Sequence, residues 1–411
     1  MSTIVLLTAN CLCNNPRVVK EATALAQAGH DVSVLGAWFA PDLKVRDRRI
    51  LKRALFDFDP VFDGTLAGRC DTTTHVLRRA RSKAANVIHA LTGWESPHQL
   101  GAATAKLFAR ARGVSADLFI AHSEPALYVT WRLMQAGRLV GVDMEDWYSE
   151  DLLPEDRKHR PLGLLHQLEQ ELLVAGAYAS CPSRAMSDAL AAEYGCRQPA
   201  VVYNSFPLAE RQTIDGLRKV RRDASVISVF WYSQTIGSGR GLEDLFAALP
   251  LLDRDVEVHL CGHAAPGMEQ FLRSHIPDRQ QSFVFFHPQV PNEELLSRIA
   301  EHDIGFAGEL KYCRNKEVTV SNKMLHYLLA GLAVVASDTA GQREVAASAP
   351  GAVELYQPGN PPALAKALNL LLNSPERLAG AKAASLQAAE RTFCWEKQEG
   401  VLLNAVAAAL Q

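Results

Sequence analysis

The sequence contains no run of about 18 uncharged apolar residues, the length that a membrane-spanning helix requires, so no spanning segment is expected. It has no excess charge of either sign. Lys and Arg number 43 against 45 Asp and Glu, a net charge of −2, and this argues against nucleic acid as a partner. The eight cysteines form no CxxC pair and no zinc spacing. Cys11-Leu-Cys13 is the nearest thing to one, and reduced, mostly buried thiols are the better expectation. No metal or other cofactor is expected. No GxGxxG follows the first strand, which weighs against a Rossmann dehydrogenase. The apolar stretch Thr3 to Leu7 is too short for a signal-peptide core and lacks a basic flank. A cytoplasmic protein is therefore expected.

What is present is a long alternation of strand and helix patterns. At 411 residues, 48% hydrophobic and 21% charged, the chain exceeds what one core usually serves. Ile4 to Leu7, a helix from about Arg17 to Ala28 and Asp31 to Leu35 make a βαβ start, which implies a parallel sheet. Further strands are expected at 117–121, 138–142, 177–180 and 200–203. A second series begins near residue 226, with strands at 226–232, 256–261, 283–286, 304–306, 333–337 and 352–355. Helices are expected at 242–249, 292–301 and 322–330. The polar segment 207–224 reads as a linker. Two doubly wound halves place ligands at the carboxyl ends of their strands.

The segment from about Asp42 to Trp94 stands apart. Lys44 to Arg53 holds six basic residues and one acid, and Val76 to Lys83 holds four more basics. Apolar residues are interleaved with them. Such a helix face suits an anionic membrane surface, or it is a solvated, salt-bridged face.

The stretch Ser321 to Asp338 (SNKMLHYLLAGLAVVASD) combines an amphipathic helix, a glycine stop at Gly331 and a continuous apolar strand. A helix start carrying Lys323 can hold a phosphate, or it is an ordinary α/β crossover. Trp231 to Leu245 (WYSQTIGSGRGLEDL) is a strand, a glycine-bearing loop and a helix start. Its glycines admit close backbone approach to an anion, and Arg240 adds a bidentate cation.

These two stretches resemble glycosyltransferase family 4 and its GT-B relatives. Ser321 to Asp338 is similar to that family's donor-site signature. Asn15 to Val18 with Ala28 to Val32 resembles its first strand–helix unit. His122 to Leu127, Asp143 to Glu150, Val201 to Asn204 and Phe393 to Trp395 resemble later landmarks.

The resemblance implies an α/β GT-B fold of two facing Rossmann-like, doubly wound domains with an interdomain cleft. The implied division is an acceptor-binding domain 1–206, a linker 207–224, a donor-binding domain 225–390 and a C-terminal helix 391–411 crossing back. It further implies transfer of a sugar from a nucleotide-sugar donor to a glycan or lipid-linked acceptor, with retention of configuration. The GT-B fold works without a DxD metal motif.

By position, Arg240 and Lys323 would neutralise the donor diphosphate. Ser233, Gly237, Gly239, Glu309, Ser321, Asn322 and His326 would complete the donor site. Asn15, Arg17, His122, Glu145 and Asp146 would meet the acceptor, with His122 and Asp146 also counted among the catalytic groups.

Three departures stand out. Asn10 to Asn15 replaces a glycine-rich turn. Ala333 replaces the usual proline before the last strand. His326 and Val318 stand where relatives carry two glutamates, the later of which contacts the donor ribose. His326 can hydrogen-bond a ribose or serve as a cap or packing residue. The basic segment 44–83 points to peripheral contact with the inner face of the cell membrane, as in surface-polysaccharide or glycolipid assembly. Two other readings remain, a nucleotide-sugar epimerase of the same fold and a catalytically silent sugar-nucleotide-binding protein.

Overall fold

The computed structural model describes residues 1–66, 72–158, 160–223, 225–237 and 239–411. They form two compact units, Met1–Val202 together with Glu399–Gln411, and Tyr203–Gln398.

The first unit contains strands β1 (Thr3–Thr8), β2 (Asp31–Trp38), β3 (Asp57–Asp63), β4 (Leu118–His122), β5 (Val140–Asp143), β6 (Tyr178–Cys181) and β7 (Ala200–Val201). They lie in the order β3-β2-β1-β4-β5-β6-β7, all parallel. Ile4, Val5, Leu6 and Leu7 are fully buried, as a central parallel strand covered on both faces requires. Chain order reverses between β1 and β4, so the loops leaving these strands diverge and open a crevice at their carboxyl ends.

The second unit repeats the scheme with β8 (Ser228–Ile236), β9 (Glu257–Ala264), β10 (Val284–His287), β11 (Ile304–Ala307), β12 (Ala333–Ser337) and β13 (Val353–Tyr356), in the order β10-β9-β8-β11-β12-β13. Its switch point lies between β8 and β11.

Two segments differ from the sequence expectation. The stretch 42–94 contributes helix Pro41–Leu51, strand β3 and helix Thr72–Thr92. Strand β3 reads DFDPVFD. A proline and alternating aspartates are tolerated at a sheet edge, and the edge is where β3 lies. The stretch expected as a linker, 207–224, falls within the second unit apart from Ala224, which lies outside the described residues. Ile214 and Val220 pack on that unit's core. The Glu301 carboxylate accepts hydrogen bonds from the backbone N–H groups of Lys219, Val220 and Arg221 at 2.9, 2.8 and 3.1 Å. Arg298 reaches Asp215 at 2.6 Å. Polarity therefore marks here a segment held by buried charges.

The register of β9 and β10 brings a histidine cluster into the second unit. His259 Nε2 lies 3.0 Å from Glu257 Oε2, and His259 Nδ1 lies 3.0 Å from His287 Nε2. A carboxylate can only accept, so Nε2–H of His259 donates to Glu257, and Nδ1 accepts from His287. His302 lies against His259 at a centroid distance of 4.6 Å. Burial disfavours the charged form of all three rings. It pushes His287 down to about 4, with His259 and Arg222 adding to the effect, and it lowers His302 and His259 despite Glu257 beside the latter.

Unfolded histidine takes up its proton near pH 6.5, so the unfolded chain binds more protons below that value. Stability is then full above about pH 6.5 and falls as pH drops toward 4. Each unit of pKa displacement is worth about 1.4 kcal/mol. Urea unfolding of the second unit at pH 7.5 and pH 5 should show a loss of a few kcal/mol, and His287→Gln should flatten the difference. A midpoint independent of pH over that window would disprove it.

Candidate functional site

In the first unit the sequence brings charge to the β1–β4 switch point. Asn15 caps helix Pro16–Gln27 by accepting from Val18 N–H at 3.2 Å, and Pro16 fixes the first turn. This orientation turns Arg17 and Glu21, one helical turn apart, toward the ends of the strands. His122 is the last residue of β4 and Asp143 the last of β5. Arg17 donates to Asp143 through Nε at 2.5 Å and Nη2 at 3.0 Å, and to the Val202 carbonyl through Nη1 at 2.7 Å. Its Nε also lies 3.1 Å from Glu21. His122 sits between carboxylates, with Nε2 3.3 Å from Glu21 and Nδ1 2.9 Å from Glu145. Asn15 Nδ2 holds both oxygens of Glu145, at 2.9 and 3.2 Å.

Arg17, Glu21, His122 and Asp143 are buried, while the Glu145 side chain is 22% exposed. Asp146, next in the same turn, is also partly exposed. The buried carboxylates divide. Burial raises Asp143, but the two-pronged Arg17 contact outweighs it and holds Asp143 down at about 2. Glu21 has the weaker Arg17 contact; burial and the charge of Asp143 raise it to about 7. His122 is raised to about 10, because Glu21 and Glu145 outweigh the cost of burial.

Glu21, His122 and Asp143 place three ligand-type atoms within 4.8 Å of one another. The Arg17 guanidinium already lies against both carboxylates, so the cluster carries its own organic cation.

A cavity of about 400 Å³ adjoins the same strand ends, with Asn10, Phe39, Leu100, Ser123, Pro125 and Tyr148 among its lining. Ser123 has φ of 105°, a conformation that costs a non-glycine residue roughly 1–3 kcal/mol. Its Oγ accepts from Ala9 N–H at 3.1 Å, and its own N–H donates to Tyr148 Oη at 3.2 Å. The strained residue thereby ties the exits of β1 and β4 together. Sequence reading passed over Ser123, Tyr148, Asp143 and Glu21. The i,i+4 spacing of Arg17 and Glu21 is the one signal that could have exposed the last of these.

In the second unit the loop after β8 turns on Gly239 and Gly241, at φ of 75° and 74°. A Cβ on Gly241 would lie 3.1 Å from the Cα of Gly308, so this loop and the one leaving β11 cross backbone to backbone. Gly237 precedes the turn. Arg240 is exposed and donates to Ser233 Oγ at 2.9 Å.

Glu309 follows the crossing. Its N–H donates to Ser337 Oγ at 2.7 Å, which Gln342 Nε2 also reaches at 2.8 Å. Its carboxylate faces Lys323 Nζ at 3.5 Å and accepts from Ser321 Oγ at 3.4 Å. Lys323 stands in the first turn of helix Asn322–Ala330, over the Trp231 ring at 5.5 Å, and Asn322 beside it is exposed. Burial alone would raise Glu309, yet it is lowered, because Lys323, Lys316 and Arg240 all act on it. Lys323 is lowered by burial, and Arg240 and Lys316 push the same way against Glu309. Lys323 thus pairs with this carboxylate beside a helix start, and the charges of Lys316 and Arg240 act on it as well, a surplus of positive charge.

The structure unites Ser233, Arg240, Glu309, Ser321 and Lys323 around the β8–β11 switch point. His326 lies deeper. It is 4% exposed, bonded through Nδ1 to Tyr232 Oη at 3.0 Å and stacked on Phe206 at 3.9 Å. Of the two roles open to it, these contacts are those of a packing residue.

Residues 229–374 match the family model described as glycosyl transferases group 1. No match was found among curated proteins. Among solved structures, HepE from Anabaena in complex with UDP and glucose is 16% identical with a TM-score of 0.68, covering 99% of this chain and 100% of that one. Sucrose-phosphate synthase from Thermosynechococcus elongatus is 15% identical with a TM-score of 0.71, covering 100% of each. A UDP-forming trehalose-phosphate synthase from Burkholderia xenovorans is 12% identical with a TM-score of 0.69, again covering 100% of each. The chain has the GT-B fold, and the resemblance to GT-B glycosyltransferases read from the sequence stands.

Proposed function

We propose that this protein is a retaining glycosyltransferase that moves a hexosyl group from a nucleotide-sugar donor to a glycan or lipid-linked acceptor, in the synthesis of cell-surface polysaccharide or glycolipid. The observation that carries the reading is the ion pair of Lys323 with Glu309 at 3.5 Å in the first turn of a helix, with Arg240 on the loop that crosses at Gly241 and Gly308, inside the stretch that matches the family model. Cations fixed where charge develops on a departing diphosphate lower the barrier without reorganising. Arg240 and Lys323 are assigned that task. Ser233, Gly237, Gly239, Ser321 and Asn322 shape the cradle, and Glu309 meets hydroxyls of the donor sugar. Asn15, Glu145 and Asp146 meet the acceptor, while Arg17 and His122, both buried, act through the carboxylates they hold. The donor's own phosphate takes the acceptor proton on the front face, so no pair of catalytic carboxylates is required.

HepE was solved with UDP, which makes uridine the first base to try. Calorimetric titration with UDP, GDP, ADP and dTDP should find one diphosphate that binds. Arg240→Ala should weaken it by about 10- to 100-fold, the worth of a hydrogen bond to a charged group. Failure of all four to bind would remove the donor site as assigned.

The membrane-facing part of the reading rests on the first unit. Arg48, Arg49, Lys52 and Arg53 are exposed, and so are Val45, Leu55, Val87, Ile88, Leu91 and Trp94. Within the basic segment 44–83, residues 67–71 lie outside the described residues. Among the described residues no helix is long and apolar enough to cross a membrane. Cationic and apolar side chains exposed together suit an anionic surface. The protein should float with vesicles containing phosphatidylglycerol at low salt, and Lys52→Glu with Arg53→Glu should weaken this. Equal recovery with neutral vesicles would count against an electrostatic contact.

A further inference from the structure

The ring of His122 has no exposed surface, and both of its nitrogens face carboxylates, Glu21 at 3.3 Å and Glu145 at 2.9 Å. A carboxylate can only accept, and a neutral imidazole carries one N–H. His122 Nε2 and both Glu21 oxygens are buried without a hydrogen-bond partner, so their 3.3 Å contact is compensated, as an ion pair or a shared proton, only if a second proton resides on His122 Nε2 or on Glu21. Of the three carboxylates in this cluster, only Glu145 reaches solvent, at 22% side-chain exposure against 0% for Glu21 and Asp143. Asp143 cannot replace Glu21 as the partner of His122. It lies 3.7 Å from Nδ1, on the Glu145 side, and Arg17 engages both of its oxygens.

We propose that Glu21 is a positioning residue for the acceptor side of the site: by holding His122 from behind, it keeps an N–H of that ring on Glu145 and so presents Glu145 in one fixed orientation to an acceptor hydroxyl. Asn15 grips both oxygens of Glu145 from the other side, so the carboxylate is fixed from two elements. The role of Glu145 toward the acceptor rests on the glycosyltransferase reading, whereas the link from Glu21 through His122 to Glu145 does not.

The groups that face this link are Arg17 and Glu21 from the first helix, Asp143 and Glu145 from the end of β5, and Tyr178 of β6, which Glu21 and Asp143 influence. The raised values of His122 and Glu21, about 10 and about 7, agree with a proton shared between them.

The test uses the full chain labelled with nitrogen-15 in histidine, with the His122 signals assigned from His122→Asn. In the wild type at pH 8 both ring nitrogens should carry protons. In Glu21→Gln the ring should be neutral at the same pH, with its one proton on Nδ1. Glu21→Asp, which keeps the charge, should restore part of the doubly protonated signal, and it serves in its own right if the Gln variant does not fold. In a transfer assay Glu21→Gln should lower kcat/KM for the acceptor by roughly 10- to 100-fold, the scale of a misplaced reacting group, and move the pH profile. The KM for the donor should change by no more than about twofold, because Glu21 lies in the other unit.

Identical His122 titration in wild type and Glu21→Gln would overturn the proposal. So would an unchanged acceptor kcat/KM and pH profile in a folded variant. A wild type that transfers no sugar from any donor would sink the glycosyltransferase reading, and the imidazole measurement would still decide the role of Glu21.

Discussion

Lys323→Ala is expected to lower turnover by about 10²- to 10³-fold, the loss seen when a fixed group that stabilises transition-state charge is removed. Lys323 emerges from the first turn of its helix, 12% exposed at the side chain, with Glu309 as its ion-pair partner. Under the proposed function, a diphosphate entering the site would compete with Glu309 for this ammonium, and the negative charge that develops on bond breaking would strengthen the contact.

Removing Lys323 also leaves Glu309 buried without its nearest cation, which by itself costs stability. The double variant Lys323→Ala with Glu309→Gln separates the two effects, since it removes both charges. It should recover the thermal midpoint of the wild type and remain as slow as the single variant. Turnover within threefold of wild type at a matched midpoint would remove Lys323 from the mechanism.

Arg17→Met should destabilise the first unit by about 3–5 kcal/mol, the cost of breaking a buried ion pair from one side. The guanidinium spans Asp143, Glu21 and the Val202 carbonyl, and no exposed charge shares this work. Methionine keeps much of the side-chain volume and removes every donor, so Asp143 loses its two-pronged partner and both buried carboxylates are left with His122 as the cation beside them. Arg17→Lys should rescue little, because a single ammonium cannot reproduce the fork.

The loss should also depend on pH. Asp143 is held down at about 2, so its share of the stability is present above about pH 4, the unfolded value, and disappears as pH falls toward 2. Wild type and variant should therefore differ most near neutrality and converge in strong acid. A difference below about 1 kcal/mol in urea unfolding at pH 7 would show that the cluster relaxes around the gap.

The parallel sheets were legible because their strands are continuous apolar runs stopped by turns. Ala333 to Ser337 was expected as a strand and Asn322 to Ala330 as a helix with the bounds the structure gives them. Strand β3 was not legible, because DFDPVFD lacks the apolar content on which strand expectation depends. The segment 207–223 misled in the opposite sense, since the carboxylate and guanidinium that fix it, Glu301 and Arg298, lie about 80 residues further along the chain.

The residues proposed for the donor, Glu309 apart, were visible because Trp231 to Leu245 and Ser321 to Asp338 keep them in two short windows. Glu309, Arg240 and Lys323 meet where chain order reverses, as the doubly wound pattern implies. The cluster around His122 was only half visible. His122 and Glu145 stand at strand ends, where side chains draw notice. Glu21 and Asp143 look like an ordinary helix-surface glutamate and a strand terminus until the fold buries them. Tyr148 and the strained Ser123 carry no sequence signature, since neither a backbone angle nor a hydroxyl contact across 25 residues is written in local pattern.

The three amides that close on Glu301 bear on how the second unit could be produced alone. A truncation that started at β8, the first strand, would strip away residues 203–227. Arg298 and Glu301, with side chains only 1% and 2% exposed in the intact fold, would then face solvent or neutralise each other. The apolar surface under Ile214 and Val220 would be bared as well. A soluble fragment should therefore run from residue 203 to residue 398, with the polar leader retained as the strap over that unit's core.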